Sequence, residues 1–275
     1  MFNWLHTFTP QPVLLAFGPL TIYWYGFILV LAMIVSMFVA TRLAKYYKIK
    51  AEVVLDLSFW LLIGGLVGAR LYHVGLEWDY YSLNLWDVFK VWQGGLAIHG
   101  GIFGGLLVLV IFSKRRGLNF WLLSSIVVPA LAFGQAIGRW GNYFNQELFG
   151  MPTNLPWGIP IEVTNLPPAY TIDYVSRYFH PTFIYESLGC LLLGGFLLLT
   201  HYKARKEKNL NASLQAITLS YLIFYSVIRF LLEEIKIDPT PMIGVLRWPQ
   251  FVSGIIMVFC LLWEIAIFRK INKKK

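Results

Sequence analysis

Residues 120–137, FWLLSSIVVPALAFGQAI, run straight into residues 138–150, GRWGNYFNQELFG. At about 1.5 Å of rise per residue, the first stretch is a helix that crosses most of a bilayer. The second packs Arg139, Asn142, Asn145, Gln146 and Glu147 among glycines and aromatics. An arginine, amides and a carboxylate at the mouth of a membrane helix are costly to place. That cost makes a functional reading the default.

The rest of the chain agrees with a membrane setting. It has 275 residues, 57% of them apolar and only 13% charged, where a soluble domain carries roughly 25% charged residues. The expected fold is all-α, a polytopic membrane protein forming a single integral domain over residues 1–275. A net charge of +9 would suit nucleic acid. The basic residues, however, fall in short clusters between apolar runs, the pattern that orients membrane helices, so no nucleic-acid partner is expected. Cys190 and Cys260 both sit inside apolar runs, as packing residues rather than a disulfide framework or metal site. The first 41 residues hold no Lys or Arg. A signal peptide would need a basic leading region, so the first apolar run is expected to stay as a helix.

Seven runs have the length and hydropathy to span, near 19–40, 54–75, 96–112, 120–137, 182–200, 213–232 and 250–268. The third is short and glycine-rich, so a partly re-entrant path is an alternative for it. Arg42, Lys45, Lys48 and Lys50 follow run one; Lys114, Arg115 and Arg116 follow run three. Lys203, Arg205, Lys206 and Lys208 follow run five, and Arg269, Lys270 and Lys273 to Lys275 close the chain. All these clusters fall on one side of a seven-span arrangement, which makes that side cytoplasmic. The N-terminus is then external and the C-terminus cytoplasmic. The opposite connections carry Glu77, Asp79, Asp87, Glu147, Glu162, Asp173, Glu234 and Asp238. The longest of them, 138–181, holds Pro152, Pro156, Pro160, Pro167 and Pro168. It reads as an irregular external cap between helices four and five.

The polar residues inside the runs collect toward that external side. They are Tyr25, Arg70, His99, Arg139, His180, Tyr185, Glu186, Tyr225, Arg229 and Glu233. Tyr225, Arg229 and Glu233 are spaced four apart and share one helical face. Guanidinium groups bind phosphate through forked hydrogen bonds and stay charged when partly desolvated. Arg70, Arg139 and Arg229 therefore read as ligands of a lipid phosphate. His99 reads as a group that takes a proton near neutral pH. Asn142 and Asn145 would orient a polar headgroup. The chain has no His-Glu-x-x-His motif, no Cys/His cluster and no Gly-x-Ser-x-Gly elbow. Metal sites and serine hydrolase chemistry are unsupported, and no cofactor is expected.

Trp24-Tyr25-Gly26, Gly94-Gly95 through His99-Gly100-Gly101, and the 138–150 block together resemble the phosphatidylglycerol–prolipoprotein diacylglyceryl transferase family. His180-Pro181 through Tyr185-Glu186, and Tyr225 with Arg229 and Glu233, continue the match along nearly the whole chain. The resemblance implies a bacterial cell-membrane enzyme of lipoprotein biosynthesis with its active site open to the outer face. It would move a diacylglyceryl group from phosphatidylglycerol to the lipobox cysteine of a prolipoprotein, form a thioether and release glycerol phosphate. Carried over by motif, His99, Arg139, Arg229 and Tyr25 are the expected catalytic residues. Asn142, Asn145, Glu147, Gly150, Tyr225, Glu186, Glu233 and Arg70 are the expected substrate-binding residues. Two positions depart from the family's pattern. Lys236 stands before Ile237-Asp238 where an arginine is usual, and Pro249 precedes Gln250 where small residues are common. The alternative reading of the same arginines is a transporter or flippase for an anionic phospholipid.

Overall fold

Seven helices among the described residues are long and apolar enough to cross a membrane. The computed structural model describes residues 3–170, 178–207 and 209–272. Asp173 of the expected cap, Lys208 and the Lys273 to Lys275 tail lie outside the described residues. In chain order the elements are α1 (Asn3–Thr7), β1 (Val13–Phe17), β2 (Leu20–Tyr23), α2 (Trp24–Tyr46), α3 (Ala51–Leu76) and α4 (Trp78–Tyr81). Next come α5 (Ile98–Arg115), α6 (Phe120–Phe144), β3 (Pro152–Thr153), β4 (Ile159–Pro160), β5 (Tyr178–Phe179) and α7 (Thr182–Ala204). The last are α8 (Leu210–Glu233), β6 (Met242–Ile243), β7 (Leu246–Arg247) and α9 (Trp248–Asn272). The spans are α2, α3 and α5 to α9.

Several boundaries differ from those expected. The first run begins not as helix but as the second strand of a hairpin, β1 antiparallel to β2. The two-residue turn Gly18-Pro19 explains it. Gly18 takes φ 56°, and Pro19 holds φ negative, a combination that suits a tight hairpin turn. Run four continues seven residues past its expected end, so the irregular part of the cap starts at Asn145 rather than at Gly138. Hydropathy drops at Arg139, but the helical ladder does not depend on hydropathy, and Arg139 and Asn142 lie on one face of its last turns. Run three is a continuous helix, and α9 starts at Trp248 with Pro249 in its first turn, where a missing N–H costs little.

The chain forms two compact units, residues 37–127 and residues 1–36 with 128–275. In the first, α3 and α5 pack through glycines. A Cβ on Gly68 or Gly104 would collide with the backbone of the other helix, and one on Gly100 would also meet Tyr72. The Gly64-x3-Gly68 and Gly100-x3-Gly104 stripes thus bring two backbones into direct contact, as membrane helices do where no hydrophobic effect drives them together.

In the second unit, Val128, Ala132, Leu193, Leu197, Ile217 and Tyr221 join α6, α7 and α8. Leu219, Ile223 and Cys260 join α8 to α9. The cap shares a core with neighbouring helices: Phe149, Ile159, Ile161, Leu166 and Phe179 pack with Leu5 of α1, Tyr143 of α6 and Phe183 of α7. Its small sheet has the order β3-β5-β4, and it holds down the chain that turns from α6 into α7.

Candidate active site

Arg139 and Asn142 stand one helical turn apart at the end of α6. Arg139 Nη1 donates to Asn142 Oδ1 at 3.3 Å, and Asn142 Nδ2 donates to Glu147 Oε1 at 2.7 Å. Glu147 can reach back because the helix ends in a Schellman-type turn. The N–H of Glu147 bonds the carbonyl of Asn142, and the N–H of Gln146 bonds that of Tyr143. Gln146 occupies the left-handed position usually held by glycine, at φ 52°, which costs on the order of 1–2 kcal/mol. Its buried side chain offsets this. It donates to Pro10 O at 3.0 Å and accepts from the N–H of Glu162 at 2.7 Å, bonds worth about 1 kcal/mol each.

Glu186, in the second turn of α7, is the centre of the arrangement. Arg139 Nη2 lies 2.8 Å from its Oε1, and the Tyr225 hydroxyl donates to the same oxygen at 3.3 Å. Arg229 Nη1 lies 3.3 Å from Oε2, and Lys236 Nζ lies 3.9 Å from it. Arg229 also reaches Glu233 Oε2 at 3.3 Å, and Arg247 Nε lies 3.4 Å from Glu233 Oε1. The shared face of Tyr225, Arg229 and Glu233 on α8 therefore turns toward α7.

The cluster holds four cations, Arg139, Arg229, Lys236 and Arg247, against two carboxylates, Glu186 and Glu233. The carboxylate side chains are 2% exposed, whereas those of Arg139 and Arg229 are 21% exposed. The acceptors lie behind and the guanidinium groups in front. Uncompensated positive charge out of water is expensive, and an anion brought to the two forks relieves it. Each guanidinium has five N–H donors, more than its protein partners take up.

Lys236 is nearly fully buried. Loss of solvent, followed by the nearby Arg229, pushes its ammonium pKa down to about 8. Its place is set by Gly150, which bridges to Lys236, while the N–H of Met151 bonds Ile235 O at 2.7 Å. A Cβ on Gly150 would lie 2.8 Å from both the Ile235 carbonyl and His180 Cβ. Gly150 is therefore a close-approach residue between three segments of chain. His180 and Tyr185 are taken up within the cap: the Tyr185 hydroxyl accepts from Trp157 Nε1 at 2.8 Å and pairs with His180 Nδ1 at 3.1 Å.

Tyr25 lies in the first turn of α2 and packs on Gly141, where a Cβ would come within 2.8 Å of its ring. Tyr25 and Asn145 line one open, mainly apolar groove of about 530 Å³, with Pro12, Ile22, Gly26 and Phe27.

His99 and Arg70 belong to the other unit. His99 is exposed in the first turn of α5, its ring centroid 6.1 Å from that of Tyr72. Arg70 is buried. It donates to the backbone carbonyls of Val88 at 2.9 Å, Gly94 at 2.7 Å, Gly95 at 3.1 Å and Lys90 at 3.4 Å, and also to that of Asp87. Its donors are thus taken up by backbone carbonyls, at the side of a small cavity of about 160 Å³ that it lines with His73, Tyr80, Tyr81 and Gln93.

Three residues of the cluster escaped the sequence reading. Arg247, in β7, donates to the carbonyls of Glu233 at 2.8 Å, Lys236 at 2.6 Å and Asp238, and so fastens the turn that carries Lys236. Tyr221 stacks on Tyr225 at 5.8 Å, and its hydroxyl donates to Gln135 Oε1 at 3.1 Å. A signal existed for the last two. Tyr221 precedes Tyr225 by four residues and so extends a polar stripe already recognised, and Gln135 precedes Arg139 by four and so shares its helical face. For Arg247 the hint was a basic residue in a connection that otherwise holds Glu234, Lys236 and Asp238 as its charged groups.

Comparison with known proteins identifies the family. The family model for prolipoprotein diacylglyceryl transferase matches residues 12–266. A phosphatidylglycerol–prolipoprotein diacylglyceryl transferase of Synechococcus elongatus is 42% identical over 260 residues, covering 94% of this chain and 88% of that protein. The protein of the same name from Acaryochloris marina is 42% identical, over 91% of this chain and 88% of its own. That from Finegoldia magna is 42% identical, over 92% and 94%. With seven apolar spans and a match over residues 12–266, the chain belongs to the prolipoprotein diacylglyceryl transferase family.

Proposed function

We propose that this protein transfers the diacylglyceryl group of phosphatidylglycerol to the thiol of a prolipoprotein's lipobox cysteine. A C–S bond forms at the glyceryl carbon, and the C–O bond to phosphate breaks. The electron pair leaves on the phosphate oxygen as glycerol phosphate, and the thiol proton passes to a base. The observation that carries the reading is the excess of cations around Glu186, with Arg139 and Arg229 in front of their carboxylates. Fixed guanidinium groups stabilise negative charge as it grows on a leaving phosphate, and one such donor is worth roughly 10²–10³ in rate.

In this reading Arg139 and Arg229 hold the phosphate. Glu186 and Glu233 hold the arginines, and Tyr225 fixes Glu186. Asn142 and Glu147 orient Arg139, and Gly150 places Lys236 beside it. Tyr25 and Asn145 orient the headgroup from the groove they line. His99 accepts the thiol proton, because a free thiol has pKa near 8.5 and is mostly protonated at neutral pH. The N-terminus lies outside and the C-terminus in the cytoplasm, so the site meets a translocated cysteine at the outer leaflet of a bacterial membrane. Membership of a transferase family favours transfer over the transport of an anionic lipid.

The test is mass spectrometry of a lipobox peptide incubated with the purified protein and phosphatidylglycerol. The expected result is a peptide heavier by one diacylglyceryl group, with a cysteine-to-serine peptide unchanged. Movement of labelled lipid between leaflets with no covalent product would overturn the reading in favour of transport.

A further inference from the structure

The connection between α3 and α5 has a composition that water does not explain. It leaves α3 at Leu76 and returns at Ile98, so both its ends lie at one face of the membrane. Between them, Leu83 is 85% exposed, Trp86 81%, Trp92 76% and Phe89 69%, with Trp78 and Leu85 also exposed. A water-filled loop of this length would be polar. These aromatics are the residue types that settle at the headgroup level of a bilayer. They also continue an apolar surface that starts on the spans themselves, at Leu71, Leu76, Ile98, Ile102 and Phe103, all exposed.

The segment is built of short turns, α4 and 3₁₀ turns at Leu85–Phe89 and Val91–Gln93, and such short turns near lipid leave carbonyls that must be satisfied within the protein. Arg70 does this here, by reaching from α3 to the carbonyls of Asp87, Val88, Lys90, Gly94 and Gly95. Gly94 at φ 88° and Gly95 at φ 69° aim the last two carbonyls at it, and a Cβ on Gly95 would lie 2.6 Å from Arg70 Nη1. Two charged groups of the segment, Asp87 and Lys90, are likewise tied together. Asp87 pairs with Lys90 at 2.5 Å and accepts from the Tyr80 hydroxyl at 2.5 Å.

We propose that residues 77–97 form a foot lying in the membrane interface, its aromatic side chains among lipid headgroups and upper acyl chains, and that Arg70 is the internal staple that holds it in shape. The occupant of this surface is lipid. Arg70 is accordingly a positioning residue rather than a ligand of the substrate phosphate. Because α5 starts at Ile98, three residues beyond Gly95, the same staple sets the backbone leading into the turn that carries His99.

Trp86→Cys and Trp92→Cys, each carrying a nitroxide, test this in the full chain reconstituted into vesicles of phosphatidylethanolamine and phosphatidylglycerol. Lys206→Cys is the water-exposed reference, and the wild type, whose Cys190 and Cys260 are buried, is the labelling background. Labels at 86 and 92 should collide with oxygen readily and with a water-soluble nickel chelate severalfold less often than the label at 206. Nickel collisions equal to those at 206 would overturn the foot. So would exclusion of both reagents together with spin–spin broadening between molecules, which marks a second copy as the occupant. In an Arg70→Lys background the label at 92 should become more mobile and severalfold more open to nickel. An unchanged spectrum would overturn the staple, and if that variant fails to fold, the labels in the wild-type background still decide the foot.

Discussion

Arg139 Nη2 and Glu186 Oε1 lie 2.8 Å apart, and the other oxygen of the same carboxylate faces Arg229 at 3.3 Å. One buried carboxylate from α7 therefore sets the distance between guanidinium groups of α6 and α8. Removing its charge takes from partly buried Arg139 its carboxylate partner and leaves Arg229 with Glu233 alone. Glu186→Gln should lower both the unfolding temperature and the rate of transfer, the latter by about 10²-fold or more. Thermal unfolding in detergent and the peptide assay check this; a variant as active as the wild type would remove Glu186 from the mechanism.

Arg139→Lys keeps the charge and loses the fork. An ammonium cannot bond Glu186, Asn142 and a phosphate with the same planar geometry. The expected loss is about 10²-fold in kcat/KM, with little change in unfolding temperature. Arg229→Lys should behave alike. Steady-state kinetics over a range of phosphatidylglycerol mole fractions separates binding from turnover.

The Lys236 ammonium, with its pKa pushed down to about 8, gives a pH dependence of definite sign. A lysine is charged below its pKa, so the site loses a positive charge as pH rises through about 8. Lys236→Arg keeps that charge at every accessible pH. The ratio of the variant's activity to that of the wild type should therefore rise between pH 7 and pH 9. Taking the ratio cancels the titration of the peptide thiol, and a flat ratio would show that Lys236 does not act through its charge.

Gly100→Ala should destabilise the contact of α3 and α5 by about 1–3 kcal/mol, because the new methyl meets the Gly68 backbone and Tyr72. Gly105→Ala is the control, since a Cβ there meets nothing within 4 Å. Unfolding temperatures of the pair measure the difference.

His99→Gln keeps a polar side chain but cannot accept a proton at neutral pH. Transfer should fall by about 10²–10⁴-fold and recover in part as pH approaches the thiol pKa, where the nucleophile ionises unaided. A pH profile parallel to that of the wild type would leave His99 as a positioning group only.

Much of this was legible in the chain itself, and for physical reasons. A bilayer demands long apolar segments and penalises charge, so hydropathy located all seven spans and made Arg139, Glu186, Arg229 and Glu233 conspicuous. The i, i+4 spacing of Tyr225, Arg229 and Glu233 placed them on one face before any fold was known. The hairpin β1–β2 was hidden because an apolar strand and an apolar helix start read alike over a few residues. The last two turns of α6 were hidden because hydropathy ends where solvent begins, not where the helical ladder ends.

The sequence by itself determined that this chain spans a membrane seven times and places arginines, carboxylates and a histidine near the ends of its spans. Only the tertiary structure decided which of them come into contact. It joined Arg139, Arg229 and Lys236 to the one carboxylate of Glu186, brought in Arg247 from a turn far along the chain, and pointed Arg70 at backbone carbonyls instead. Spacing along a helix reveals which side chains share a face. Which partner that face meets depends on the packing of other helices and on the turns that join them.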